Sequence, residues 1–157
     1  MKTLTLLYAA MFIFCVLNLK TYAQTSSYKT AVGLSTDFGN GTTIVGPTIK
    51  HFFNEKNALQ GEILLGGNFF SLGVFYQYHR SFKEAPELKW YLGVGPQVFL
   101  DGDADAIFAI RPMVGLDYKI KTLPLSLNFD FRPIVYVGEG FYFEAARFSL
   151  GVKYAFR

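Results

Sequence analysis

Large apolar side chains recur at every second position through most of this chain. The pattern is clearest at the end, where Phe148, Leu150, Val152, Tyr154 and Phe156 alternate with Ser149, Gly151, Lys153 and Ala155. Strict alternation of this kind is the signature of a β-strand with two unlike faces, not of a helix. The same period runs through Phe70 to His79, Leu88 to Leu100, Ile107 to Ile120 and Leu125 to Val137, and more faintly through residues 28–38, 43–53 and 58–66. Turn-forming clusters separate the runs: Gly39-Asn40-Gly41, residues 54–57, Gly66-Gly67-Asn68, 80–87, 101–106, 121–124 and Gly138-Glu139-Gly140. The pattern predicts an all-β fold of eight strands joined by short connections, with no segment left over for a second domain.

The first 23 residues lie outside this pattern. Lys2 precedes an apolar run from Leu4 to Leu19, and Thr21-Tyr22-Ala23 ends in a small residue. That layout predicts a cleaved secretory signal peptide over 1–23 and a mature domain over 24–157. A membrane-spanning helix is the rival reading, but it needs about 20 apolar residues, more than this run supplies. Cys15, the only cysteine, falls within the run, so the mature chain is expected to have no disulfide and no thiol chemistry. Without Lys2 and Lys20, 13 basic and 12 acidic residues remain. So even a balance, with no basic cluster, argues against a nucleic-acid partner.

Alternation leaves open which face is buried. A soluble lipocalin-like barrel would turn the apolar face inward. Here the polar faces mix Gly, Ala and Ser with charges of both signs: Lys50, Glu62, Arg111, Asp117, Lys119, Asp130, Arg132, Arg147 and Lys153. Small residues with opposite charges suit the narrow interior of an eight-strand barrel, where side chains just fill the lumen. The apolar faces run for five to seven alternate positions, long enough for strands of about 9–11 residues to cross a bilayer. Tyr78, Trp90, Tyr118, Tyr154 and Phe156 fall near one end of their strands, as an interfacial aromatic girdle would. The expected architecture is therefore an antiparallel transmembrane barrel with apolar faces outward and a charge network in the lumen.

Over the whole mature chain the sequence resembles small Gram-negative outer-membrane β-barrel proteins of the eight-stranded OmpA/OmpX-like type. The resemblance rests on the leader, on the segments Trp90-Tyr91-Leu92-Gly93-Val94-Gly95 and Gly115-Leu116-Asp117-Tyr118-Lys119, and on the terminal strand. Phe148, Leu150, Val152, Tyr154 and Phe156 look like the C-terminal signal read by the barrel-assembly machinery, although Arg157 follows the last aromatic. The resemblance implies an outer-membrane location and partners limited to outer-membrane lipid, lipopolysaccharide and that machinery. An even strand number after a leader places both termini in the periplasm. Turns 54–57, 80–87 and 121–124 would then be periplasmic, and connections near 39–42, 67–69, 101–106 and 138–143 extracellular. These are short, whereas family members that adhere or bind receptors use long loops.

Individual chemistry is sparse, and no cofactor is expected. Asp101, Asp103 and Asp105 alternate like the start of a calcium loop, but the positions that should hold Gly and Glu are Ala106 and Pro112. A solvated acidic loop is the simpler reading. His51 and His79 invite comparison with barrel enzymes that modify lipid A, yet no serine and acid fall at their level, so they read as hydrogen-bonded rim or lumen residues. Gly93-Val94-Gly95 lies within a strand, not before a helix, and reads as close packing and not a phosphate loop. Pro47, Pro96, Pro112 and Pro133 sit inside predicted strands on the apolar face, and two readings stand side by side: a ring of bulges at one height, facing lipid, or separate bulges placed by chance. The expected function is a structural or envelope-integrity barrel with a plugged lumen. The alternative is a small-solute transporter or pore, with a lipid A-modifying enzyme or soluble carrier behind it.

Overall fold

The computed structural model describes residues 28–67, 69–101, 106–138 and 142–156. The leader expected over 1–23 therefore lies outside the described residues. So do Asp103 and Asp105, together with the side chain of Asp101.

Every element among the described residues is a strand: β1 (Thr30–Gly39), β2 (Thr42–Phe52), β3 (Asn57–Gly66), β4 (Phe69–Ser81), β5 (Leu88–Asp101), β6 (Ile107–Lys119), β7 (Leu125–Phe131), β8 (Ile134–Val137), β9 (Tyr142–Glu144) and β10 (Phe148–Phe156). All neighbours pair antiparallel in one sheet. β10 returns to β1, with partners running from Thr30↔Phe156 to Phe38↔Phe148, and closes it. Closure leaves no long unpaired edge, which is what a sheet in lipid requires. β7 and β8 form one stave and β9 and β10 another, so the structure is a closed eight-strand barrel.

Local chemistry sets the first hairpin. Gly39 pairs with Thr42, leaving a two-residue loop in which Asn40 (φ 45°) and Gly41 (φ 76°) are both left-handed. Positive φ at both positions matches the primed hairpin turns, and Asn-Gly is the dipeptide that tolerates it best.

Burial alternates strictly along the staves. On β10, Ser149, Gly151, Lys153 and Ala155 are buried while Leu150, Val152, Tyr154 and Phe156 are exposed. β6 likewise buries Arg111, Met113 and Asp117 and exposes Pro112, Val114 and Leu116. The sheet thus wraps its polar side chains inside and presents Leu, Val, Ile and aromatics outside. Such an exterior is stable only in apolar surroundings. Tyr78, Tyr118, Tyr154 and Phe156 all face out at one end, and the Tyr154 and Phe156 rings lie 4.9 Å apart.

The prolines depart from the expected ring. Pro47, Pro96 and Pro112 face outward, but Pro133 is buried in the break between β7 and β8. Pro96 pairs with Ile110 and Pro112 with Val94, two residues along the same ladder. What they share is a lapse in pairing. The β2–β3 ladder skips Gly46-Pro47 against Ile63-Leu64, and the β4–β5 ladder skips Gly95-Pro96 against Val74-Phe75. The pairing of β6 with β7 and β8 skips Arg111 to Met113 against Arg132 to Ile134, bringing Pro112 and Pro133 into opposite positions. A residue without an N–H is tolerated where the ladder does not need its donor.

The strand expected over 125–137 is also split, for a related reason. Phe131 pairs with Phe148 and Ile134 with Glu144, so two residues on one stave, Arg132 and Pro133, face three on the other, Ala145, Ala146 and Arg147. This bulge shifts the parity of β9 relative to β10 by one. Both Glu144 and Arg147 consequently reach the mouth of the lumen, 3.7 Å apart.

Candidate functional site: the charged barrel lumen

The inward positions of eight staves converge on a lumen filled from end to end. At the end where β1 begins and β10 finishes, Tyr28, Ala31, Phe52, Ala58 and Ala155 form an apolar floor. Lys89 sits above it with its ammonium 4.9 Å from the centre of the Phe52 ring, donating to the Glu55 carbonyl.

The next level is organised by Asp117. Lys50 Nζ and Tyr28 Oη both donate to its Oδ2 at 2.7 Å. His79 Nε2 lies 3.9 Å from the same oxygen, its ring between Phe52 and Tyr91 at centroid distances of 4.7 and 4.8 Å. Sequence reading expected a hydrogen-bonded histidine here. Instead, neither His79 ring nitrogen has a protein hydrogen-bond partner, the ring being stacked on Tyr91 with Phe52 tilted against its other side. His51 faces outward at the rim, where its Nδ1 is 2.8 Å from Thr30 Oγ1.

The central level is built on Arg132. Its guanidinium grips Asp130 through Nε and Nη2 and reaches Glu62 Oε1 through Nη1 at 2.7 Å. Asp130 also accepts from Tyr91 Oη and from Asn128 Nδ2, and Asn128 Oδ1 accepts from Lys153. Phe75 backs the guanidinium at 5.6 Å. Gly115 makes room for this cluster: a Cβ there would lie 2.8 Å from Cζ of Tyr91 and 2.5 Å from Cβ of Asp130.

Above it, Arg111 and Arg147 share Asp37. Arg111 Nη2 donates to Asp37 Oδ2 at 2.8 Å, and Arg147 Nε donates to Oδ1 at 2.9 Å. Arg111 also donates from Nε and Nη2 to the Arg132 carbonyl, at 3.1 and 2.6 Å. That carbonyl sits where the ladder lapses beside Pro133, so the guanidinium supplies the donors the missing strand partner would have given. Gln97 completes the level, accepting from Arg111 Nη1 and donating to Ser71 Oγ at 2.8 Å.

The structure therefore brings together Lys50, Glu62, Arg111, Asp117, Asp130, Arg132, Arg147 and Lys153, all buried. Lys119 is seated instead at the nearby turn, where Nζ donates to the carbonyls of Ile120 and Leu123 at 2.7 and 2.6 Å. Sequence reading missed Asp37, Tyr91, Lys89, Gln97 and Asn128. All lie at inward parity, and Tyr91 was available on the polar face of its strand. Among the described residues, no three His, Cys, Asp or Glu side chains gather to hold a metal. Chemically, the cluster is a buried network in which Asp37, Glu62, Asp117 and Asp130 pair with Arg111, Arg147, Arg132 and Lys50, and this pairing offsets the desolvation those ions suffer.

No family model matches the chain, and no curated protein matches it. Solved structures do. The N-terminal β-barrel domain of Pseudomonas aeruginosa OprF superposes with a TM-score of 0.58 at 13% identity, covering 81% of this chain and 99% of that domain. Neisserial surface protein A (NspA) superposes with a TM-score of 0.54 at 14% identity, covering 84% of this chain and 98% of that one. Both are outer-membrane β-barrels. The chain thus has the fold of the small eight-stranded outer-membrane barrels, closed on itself and matched over nearly their full length.

Proposed function

We propose that this chain is an integral protein of the bacterial outer membrane, exported with a leader over 1–23 and inserted with both termini in the periplasm. Its role in this reading is structural: a stable, closed barrel that contributes to envelope integrity and does not act as an open pore or an enzyme. The single observation that carries it is the packed lumen, where ion pairs run from Lys50–Asp117 through Arg132–Asp130 and Arg132–Glu62 to Arg111–Asp37 and Arg147–Asp37. A water-filled path would need these to part. The outward apolar face fits contact with outer-membrane lipid and lipopolysaccharide. The alternating edge Phe148, Leu150, Val152, Tyr154 and Phe156, which pairs with β1 to close the barrel, fits recognition by the barrel-assembly machinery.

The test is twofold. The protein should fractionate with outer membranes and need detergent for extraction, and in planar bilayers the refolded barrel should pass no sustained current. Recovery as a soluble periplasmic monomer would overturn the location. Steady porin-sized conductance would overturn the plug in favour of the small-solute pore.

A further inference from the structure

One feature of the barrel is left unused by a purely structural role. Between the upper ends of β5, β6, β8 and β9 lies a cleft of about 210 Å³, open to the outside at the mouth of the lumen. Phe99, Ile107, Ile134 and Tyr136 give it apolar walls, and Glu144 places a carboxylate among them. We propose that this cleft binds a small organic cation carrying an apolar group, its ammonium held by the Glu144 carboxylate and the face of Tyr136.

Two observations converge on that chemistry. First, the carboxylate is aimed and not free to turn away. Asn40 Nδ2 donates to Oε1 at 2.8 Å and Tyr136 Oη donates to Oε2 at 3.1 Å, leaving each oxygen further lone-pair capacity. Second, aromatic rings gather beside it. Tyr136 lies 6.3 Å from Phe99 and 5.4 Å from Tyr142, centroid to centroid, and ring faces attract ammonium groups.

Arg147 also lines the cleft and makes a long ion pair with Glu144, but its guanidinium is held more closely by other acceptors. It holds Asp37 through Nε and Nη2 and the Gly39 carbonyl through Nη1 at 2.8 Å, and it stays 3.7 Å from Glu144. The bulge at 145–147 makes this division possible by turning both side chains to the mouth. The volume is smaller than the roughly 300–1,000 Å³ of drug-sized sites, so the ligand class is limited to one ring or a short alkyl chain.

The test titrates the refolded mature barrel, in a non-ionic maltoside, with benzyltrimethylammonium, and follows amide shifts by NMR. Benzyl alcohol and benzenesulfonate serve as neutral and anionic comparators. The proposal expects saturable shifts centred on Tyr136, Glu144 and Phe99, affinity that falls with added salt, and weaker binding of both comparators. It also expects Tyr136→Leu and Glu144→Gln each to weaken the cation by about threefold to tenfold. No saturable shift, equal binding of benzyl alcohol, or preference for benzenesulfonate would overturn it. If either variant fails to fold, the comparator and salt titrations on the unaltered protein decide the matter alone.

Discussion

Replacing Asp130 by alanine removes the acceptor at the centre of the lumen. Its carboxylate receives donors from Arg132 Nε, Arg132 Nη2, Tyr91 Oη and Asn128 Nδ2, all buried. In Asp130→Ala, Arg132 retains Glu62 alone as an ionic partner, and the Tyr91 hydroxyl loses its acceptor. Breaking one side of a buried pair costs about 3–5 kcal/mol, and an orphaned hydroxyl about 1–3 kcal/mol. The two overlap because one relaxation serves both, so the expected loss is about 3–5 kcal/mol. Asp103→Ala, in the acidic 101–106 connection, should stay within about 0.5 kcal/mol. The assay is urea unfolding of the barrel refolded into lipid vesicles, followed by Trp90 fluorescence and by the folded band on unheated gels. An Asp130→Ala loss no larger than that of Asp103→Ala would refute the claim that the lumen charges are paired in a dry interior.

Further outcomes follow from the same geometry. Gly115→Val drives a side chain into Tyr91 and Asp130, and it should cost about 1–3 kcal/mol or more in the same assay, whereas Val114→Ala on the outer face should not show this overpacking penalty. Gly41→Ala, at a φ of 76°, should lose about 1 kcal/mol through backbone strain, and Gly41→Asn should lose less. At the lower turns, its own backbone N–H and then the Lys121 ammonium, 3.0 Å away, hold the Glu87 carboxyl below its usual range. A depressed folded value means the stabilisation is present above the unfolded carboxylate range and lost as pH falls through the folded value. Carbon-13 NMR should therefore show Glu87 titrating low, and Lys121→Ala should move it upward.

Much of this fold was legible because parity is local. Which side chains share a face follows from counting by two, so the inward placement of Lys50, Asp117 and Asp130 needed no knowledge of neighbours. Partners are another matter. Asp37 meets Arg111 and Arg147 across strands far apart in sequence, and only register and barrel stagger decide that meeting. Tyr91 was on the correct face but reads as an aromatic before it reads as a phenol. The prolines were read by height, when their common property is the ladder each interrupts. A cue lay in their neighbours: Gly46-Pro47 and Gly95-Pro96 are the residues skipped in two lapses, and Arg111-Pro112 and Arg132-Pro133 face each other within the third. The bulge at 145–147 left no periodic trace, because one inserted residue between two short strands erases the alternation that would reveal it.

The central claim is that the alternating apolar face meets lipid while the charged face is sealed inside. Nitroxide scanning along β6 tests it most directly, since Cys15 is the only cysteine and a chain begun at residue 24 offers a clean background. Single cysteines at Arg111, Pro112, Met113, Val114, Gly115 and Leu116 would be labelled in the barrel refolded into vesicles. Collision with oxygen dissolved in the bilayer should be high at Pro112, Val114 and Leu116 and low at Arg111, Met113 and Gly115, with little access to an aqueous nickel chelate at the second set. High oxygen access at the odd positions, or the same access at all six, would contradict the account.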